Sequence, residues 1–271
     1  MNFNEKTVLG RTGLRVGRLG ISSSFGAKAA VFEEAFEHGC NYFTWGTFIK
    51  GSSSEMMMAI REIVKKGKRD ELVLALTSYA HSPVLTEKFF KSRLKKLGIE
   101  RAEILNLGFF MKRPRQDIID GALNMKEKGL VRFIGILSHN RKLFPELHKE
   151  GIFDLFHLRY NAAHRGAEMD VFLKINGESK PGIVSYTATR WKQLINPKKT
   201  PPGEKTPTAT DCYRFVLSNP SVDVCMMGVK NRDHLQENLK TLDLGPMNEE
   251  ELDWMRRVGD YLYKKKVKRK K

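Results

Sequence analysis

Cysteine is scarce in this 271-residue chain: Cys40, Cys212 and Cys225 are odd in number, far apart and in no Cys-x-x-Cys spacing. That excludes a disulfide framework and the usual zinc spacings, and three reduced core thiols are expected. Long apolar runs are missing as well. No stretch approaches the roughly 18 residues of a membrane span, and Met1-Asn2-Phe3-Asn4-Glu5 lacks the charged-then-apolar order of a secretory signal, so the expected location is cytoplasmic. Acidic residues are few, 31 against 48 Lys and Arg, which leaves a formal charge of +17. Seven of the cations lie in Lys264 to Lys271, yet the body stays basic without them. Such a surface favours anionic partners, whether phosphorylated cofactors, nucleic acid or acidic lipid. The tail over 264–271 reads either as a disordered, solubilising end or as a dock for nucleic acid or acidic membrane. It has no aromatic residue after Tyr263 on which bases could stack.

What is present is a repeating pattern. Thr7 to Gly10 and Leu14 to Gly17, joined by Arg11-Thr12-Gly13, read as an N-terminal hairpin. Strands are predicted at Leu19–Ser23, Asn41–Phe43, Leu72–Leu76, Ala102–Leu107, Val131–Ile136, Ile152–Tyr160, Gly182–Tyr186 and Val222–Met227. Residues at helical spacing separate them, for example Met56, Ala59, Ile60, Ile63 and Val64, with only a weak helix at Met169 to Ile175. Leu72-Val73-Leu74-Ala75-Leu76 is apolar throughout, as a parallel strand buried on both faces must be. Eight β/α units in one domain, residues 1–263, point to a closed α/β (β/α)8 barrel with a further helix around Leu252 to Leu262. Asn196 to Pro207, with four prolines, is a long polar insertion after the seventh strand.

Active sites of such barrels lie in the loops after the strands. Gly39 to Gly51, GCNYFTWGTFIKG, is one such stretch: Thr44 to Lys50 reads as a loop leading to a helix that Ser52-Ser53-Ser54-Glu55 would open as a capping box. Tyr79, His81, His139 and His157 all fall at or just beyond strand ends and are candidates for an acid–base set, or else ordinary hydrogen-bonded residues. Trp45 and Phe48 either line an apolar pocket or pack the loop. Glu103, Glu168 and Asp170 are expected to be solvated.

Four segments, taken together, resemble the aldo-keto reductase family: LGRTGLRVGRLG (Leu9 to Gly20), the Gly-x-Asn-Tyr-Phe run from Gly39, FHLRYN (Phe156 to Asn161) and DVCMMGVKNRDHLQENL (Asp223 to Leu239). The resemblance implies a (β/α)8 barrel opened by a hairpin, with hydride transfer from NADPH to a carbonyl assisted by an Asp, Tyr, Lys, His tetrad. Hydride delivery leaves an alkoxide, so an acid must stand beside the substrate oxygen. In the family the Tyr does this, helped by the Lys. Here the four positions fall on Thr44, Ile49, Thr77 and Gly108. Isoleucine has no proton to give, and removing the Lys removes the cation that would acidify a neighbour. Conventional carbonyl reduction is therefore not expected, and the smaller or apolar replacements suggest a roomier pocket.

The resemblance also implies an NADP(H) site, kept unevenly. At the nicotinamide end Ser138 ends the Gly135-Ile136-Leu137-Ser138 block, His157 replaces a Gln, and Tyr186 matches the ring that stacks on nicotinamide. At the adenine end Gly228, Val229, Lys230, His234, Glu237 and Asn238 match the residues around the 2′-phosphate. Three readings follow: a cofactor-binding sensor or scaffold without conventional reductase activity, an oxidoreductase with rewired residues in which Tyr79, His139 and His157 substitute, or a binding module recruited by its basic tail.

Overall fold

A computed structural model describes residues 2–48, 51–175, 177 and 179–268, without the side chains of 265–268. Ile49 therefore lies outside the described residues. The chain opens with β1 (Thr7–Val8) and β2 (Arg15–Val16), an antiparallel hairpin. Eight parallel strands follow: β3 (Leu19–Ser22), β4 (Tyr42–Gly46), β5 (Val73–Ser78), β6 (Ala102–Leu107), β7 (Val131–Ser138), β8 (Leu155–Arg159), β9 (Gly182–Tyr186) and β10 (Val224–Met227). They close into a barrel in chain order, with β10 pairing back onto β3. The helices are α1 (Ala29–Glu37), α2 (Ser54–Lys65), α3 (Pro83–Leu97), α4 (Gln116–Glu127), α5 (Leu143–Glu150), α6 (Ala209–Leu217), α7 (Arg232–Leu244) and α8 (Glu249–Lys268). The expected weak helix around 169–175 is a single wide turn at Glu168–Phe172. Among the described residues no helix is long and apolar enough to cross a membrane.

Two apolar layers form because strand side chains alternate. Outward residues such as Phe43, Leu74, Leu105 and Phe156 pack under the helices. Inward ones, Tyr42, Val73, Ala75, Ile104, Leu155, Val184 and Val224, fill the barrel with Leu9, Leu14 and Val16 of the hairpin region. The hairpin is thus the plug of the barrel's lower end. Its tight seat explains Gly10: with φ at +46°, a Cβ there would fall 2.2 Å from the Gly182 nitrogen.

Three local expectations are corrected. β4 runs on to Gly46, so Thr44 belongs to a strand; pairing with β5 continues to Gly46 opposite Thr77. Ser53, one residue later than expected, caps α2 by accepting from the Met56 amide, and Glu55 reaches instead to Lys28 and the Ala29 amide. The capping box occurs elsewhere, between Thr208 and Asp211 at the start of α6. Glu103 is not solvated: it is buried, pairs with Arg69 at 3.0 Å and accepts from the Leu74 amide at 2.9 Å. Glu168 accepts from Tyr160 and Asp170 pairs with Arg141. The insertion after β9 is pinned to α8 through Glu204–Arg257 and through Trp254, which donates to the Lys205 carbonyl. α8 itself continues to Lys268, into the segment expected to be a disordered tail, and Arg269 to Lys271 lie outside the described residues. The three cysteines are free and buried.

Candidate functional site at the mouth of the barrel

The C-terminal ends of the strands bring most of the sequence candidates to one face. Thr44 and Thr77 stand on neighbouring strands with their side chains inward, in the alternation that points Tyr42 and Ala75 the same way. Thr77 is almost fully buried, and its hydroxyl accepts from Asn106 Nδ2 at 3.4 Å. The other amide atom, Asn106 Oδ1, is buried with no protein partner. Gly108 follows β6, and a Cβ there would meet the Tyr79 ring at 2.6 Å. The ring of Tyr79 thus occupies the space from which a histidine at position 108 would project. The absence of a side chain at 108 is the condition for this packing.

Tyr79 begins a row of rings across the mouth. Tyr79 and Phe109 stack with centroids 5.5 Å apart, Phe109 and His139 lie at 5.3 Å, and His139 meets Tyr186 edge-on at 5.6 Å. Phe109 holds this place with a φ of 61°, a left-handed conformation that costs a non-glycine residue about 1–2 kcal/mol. At position 108 the expectation of extra room is not met, because the Tyr79 ring takes up the space beside the glycine. Burial raises the phenol pKa of both Tyr79 and Tyr186, the opposite of what a proton donor at neutral pH requires. His81 stacks on Phe110 with its Nε2 3.2 Å from the Gly108 carbonyl.

His157 lies deeper. It is fully buried in the barrel, with Nε2 2.7 Å from the Tyr42 hydroxyl, and burial pushes its pKa down to about 3. It is a neutral core residue bonded across the barrel. Two residues further along β8 the same inward face presents Arg159, which pairs in register with Tyr186. Sequence reading missed Arg159 and Arg190, although Leu155, His157, Arg159 is an alternation that aims a charge inward. Nothing in the sequence marked Arg190.

The segments matched to a cofactor site fall into two groups. Ser138 is buried, its hydroxyl accepting from the Asn140 amide and its carbonyl from Tyr186 Oη at 2.8 Å. Around β10 and α7, Lys230 and His234 are exposed, Val229 and Asn238 are buried, and Asn238 Nδ2 points to the Met227 sulfur. Glu237 pairs with Lys240 and accepts from Thr210. Asn231 caps α7 by accepting from the His234 amide. The Phe25 ring covers Gly228, where a Cβ would fall 2.5 Å from it. Outside the barrel, Trp45 is buried, donates to the Ser53 carbonyl and lies under Arg93, while Phe48 stacks on Phe89 at 4.4 Å. Trp45, Ser53, Arg61, Arg93 and Lys96 line a groove of about 540 Å³ between α2 and α3. Among the described residues no group of three or more His, Cys, Asp or Glu could hold a metal.

No family model matches the chain. A chloroplastic pyridoxal reductase of Arabidopsis thaliana is 31% identical over 132 residues, which is 43% of this chain and only 36% of that protein. Solved structures align over much more. The holo form of an aldo-keto reductase from Bacillus halodurans superposes with a TM-score of 0.77 at 18% identity, covering 94% of this chain and 96% of its own. A Pseudomonas aeruginosa protein described as a putative aldo-keto reductase gives 0.69 at 18% identity, covering 88% and 93%. The eight-stranded parallel barrel, its hairpin plug and these superpositions together show that the chain has the fold of the aldo-keto reductases.

Proposed function

We propose that this protein is an aldo-keto reductase-like barrel that binds NADP(H) without conventional carbonyl reduction, serving as a sensor or scaffold. The observation that carries the second half is the packing at Gly108. A barrel built to place an acid and its helpers around a substrate oxygen has Thr44 and Thr77 at two of those positions, and a tyrosine ring fills the third. Bound dinucleotide would supply a hydride, and the described residues offer no phenol whose acidity is raised to protonate the resulting alkoxide. For cofactor binding the support is the exposed Lys230 and His234 at the start of α7, where a helix N-terminus and a cation suit a phosphate. The Asn231 cap already uses one amide there, so Lys230 would carry most of the attraction.

Titration with NADPH, followed by the reduced nicotinamide's fluorescence, tests this. Saturable binding is expected, weakened about tenfold or more by Lys230→Glu, a loss of about 1.4 kcal/mol per tenfold. Absence of binding would overturn it. A second reading, a rewired oxidoreductase, is favoured by the row of Tyr79, His139 and Tyr186 at the mouth. It requires NADPH turnover that Tyr79→Phe abolishes.

A further inference from the structure

We propose that Arg159 and Arg190 together hold a phosphate group at the barrel mouth. Arg190 follows β9 and is 3% exposed, yet its Nη1 is buried with no hydrogen-bond partner. Arg159 reaches the same region from the inward face of β8, beside Tyr186, and its side chain makes no hydrogen bond or ion pair with the described residues. The charge that acts on Arg190 is Arg159, and it repels. The other two buried arginines do have partners: Arg18 donates through Nη2 to the Leu217 and Val222 carbonyls, with only its Nε unbonded, and Arg214 pairs with Glu251 at 2.6 Å.

Two like charges, one buried and unbonded, are costly in a free protein and are stabilised by an anion between them. The backbone is committed to this arrangement. Arg190, Trp191 and Lys192 all have positive φ, at 49°, 50° and 64°, an unfavourable run fixed by turns in which Arg190 N donates to the Thr187 carbonyl and Leu194 N to the Thr189 carbonyl. Two guanidinium forks offer paired donors at fixed geometry, which suits a group with three or four oxygens and two negative charges better than a single carboxylate. A phosphate monoester of a small ligand and the diphosphate of a dinucleotide share that chemistry. The proposal does not depend on NADP(H) binding, since inorganic phosphate itself is the probe.

Melting temperature and calorimetric titration are to be recorded with sodium phosphate against sodium chloride at matched ionic strength. The expected result is a phosphate-specific rise in Tm and a saturable binding isotherm. Arg159→Gln and Arg190→Gln should each weaken binding about tenfold or more, whereas Lys95→Gln, which removes an equal charge at the far end of α3, should leave it unchanged. Arg190→Met should melt no lower than the parent without phosphate and should lose the phosphate response, which separates a ligand site from a structural role. Adding NADPH at saturating phosphate assigns the source. Competition identifies the dinucleotide's diphosphate, and independent binding identifies a separate phosphorylated ligand. A phosphate response absent from the parent, or equal in the parent, Arg159→Gln and Arg190→Gln, overturns the proposal.

Discussion

Lowering the pH from 6.5 to 3 is expected to remove on the order of 4 kcal/mol of stability through His157 alone. Above pH 6.5 the imidazole is neutral in both folded and unfolded chains, so it contributes no pH dependence. Below 6.5 the unfolded chain takes up a proton, while the buried ring, held down to about 3, does not. The unfolded state then binds more protons, and stability falls by about 1.4 kcal/mol per pH unit until the folded ring also titrates. His157→Gln keeps a hydrogen-bonding partner for the Tyr42 hydroxyl and removes the titration. Denaturant unfolding of both proteins at pH 7, 6, 5 and 4 checks this, because other titrating groups, including buried Asp223, are common to both and cancel. The parent should lose stability relative to the variant steadily below pH 6.5. A difference that does not change with pH would contradict a neutral, core-bound His157.

Restoring a side chain at position 108 should damage the fold before it restores any chemistry. Gly108→Ala places a Cβ 2.6 Å from the Tyr79 ring, and Gly108→His adds an imidazole to the same collision. Overpacking of this kind costs about 1–3 kcal/mol, or roughly 2–4 °C in Tm per kcal/mol for a chain of this size. The test is a double-mutant cycle read by thermal unfolding. Gly108→Ala should be costly in the parent and clearly less so when Tyr79 is already alanine, the remaining cost coming from the Ser78 carbonyl 3.1 Å from the new Cβ. Equal costs in both backgrounds would mean that Tyr79 is not what keeps position 108 bare. The outcome also bears on the tetrad, since reintroducing the family's histidine without removing Tyr79 would yield a destabilised protein.

Much of the architecture was legible in the sequence because period-two and period-3.6 patterns record burial directly. The eight strands, the hairpin and the apolar faces of the helices were read that way, and barrel closure follows from their number. Errors arose where a long-range partner outweighed a local signal. Thr44 was read as the start of the loop leading to the cap at Ser52, but the neighbouring strand holds the pairing to Gly46. Ser52-x-x-Glu55 had the letters of a capping box, but Lys28 and the Ala29 amide draw Glu55 away. Glu103 looked solvated by type, and Arg69 with the Leu74 amide makes its burial tolerable.

Residue identity and order were enough to specify an eight-unit barrel, and they set Thr44, Thr77 and Gly108 against the Asp, Lys and His that the resemblance implies as an expectation. Only the tertiary structure decided what fills the resulting space. Whether a missing histidine leaves a cavity depends on a ring 29 positions earlier, and whether Arg190 has a partner depends on a side chain one strand away. Both are questions of which groups meet across the barrel mouth, and sequence periodicity, which reports the face a residue occupies, carries no record of what it faces.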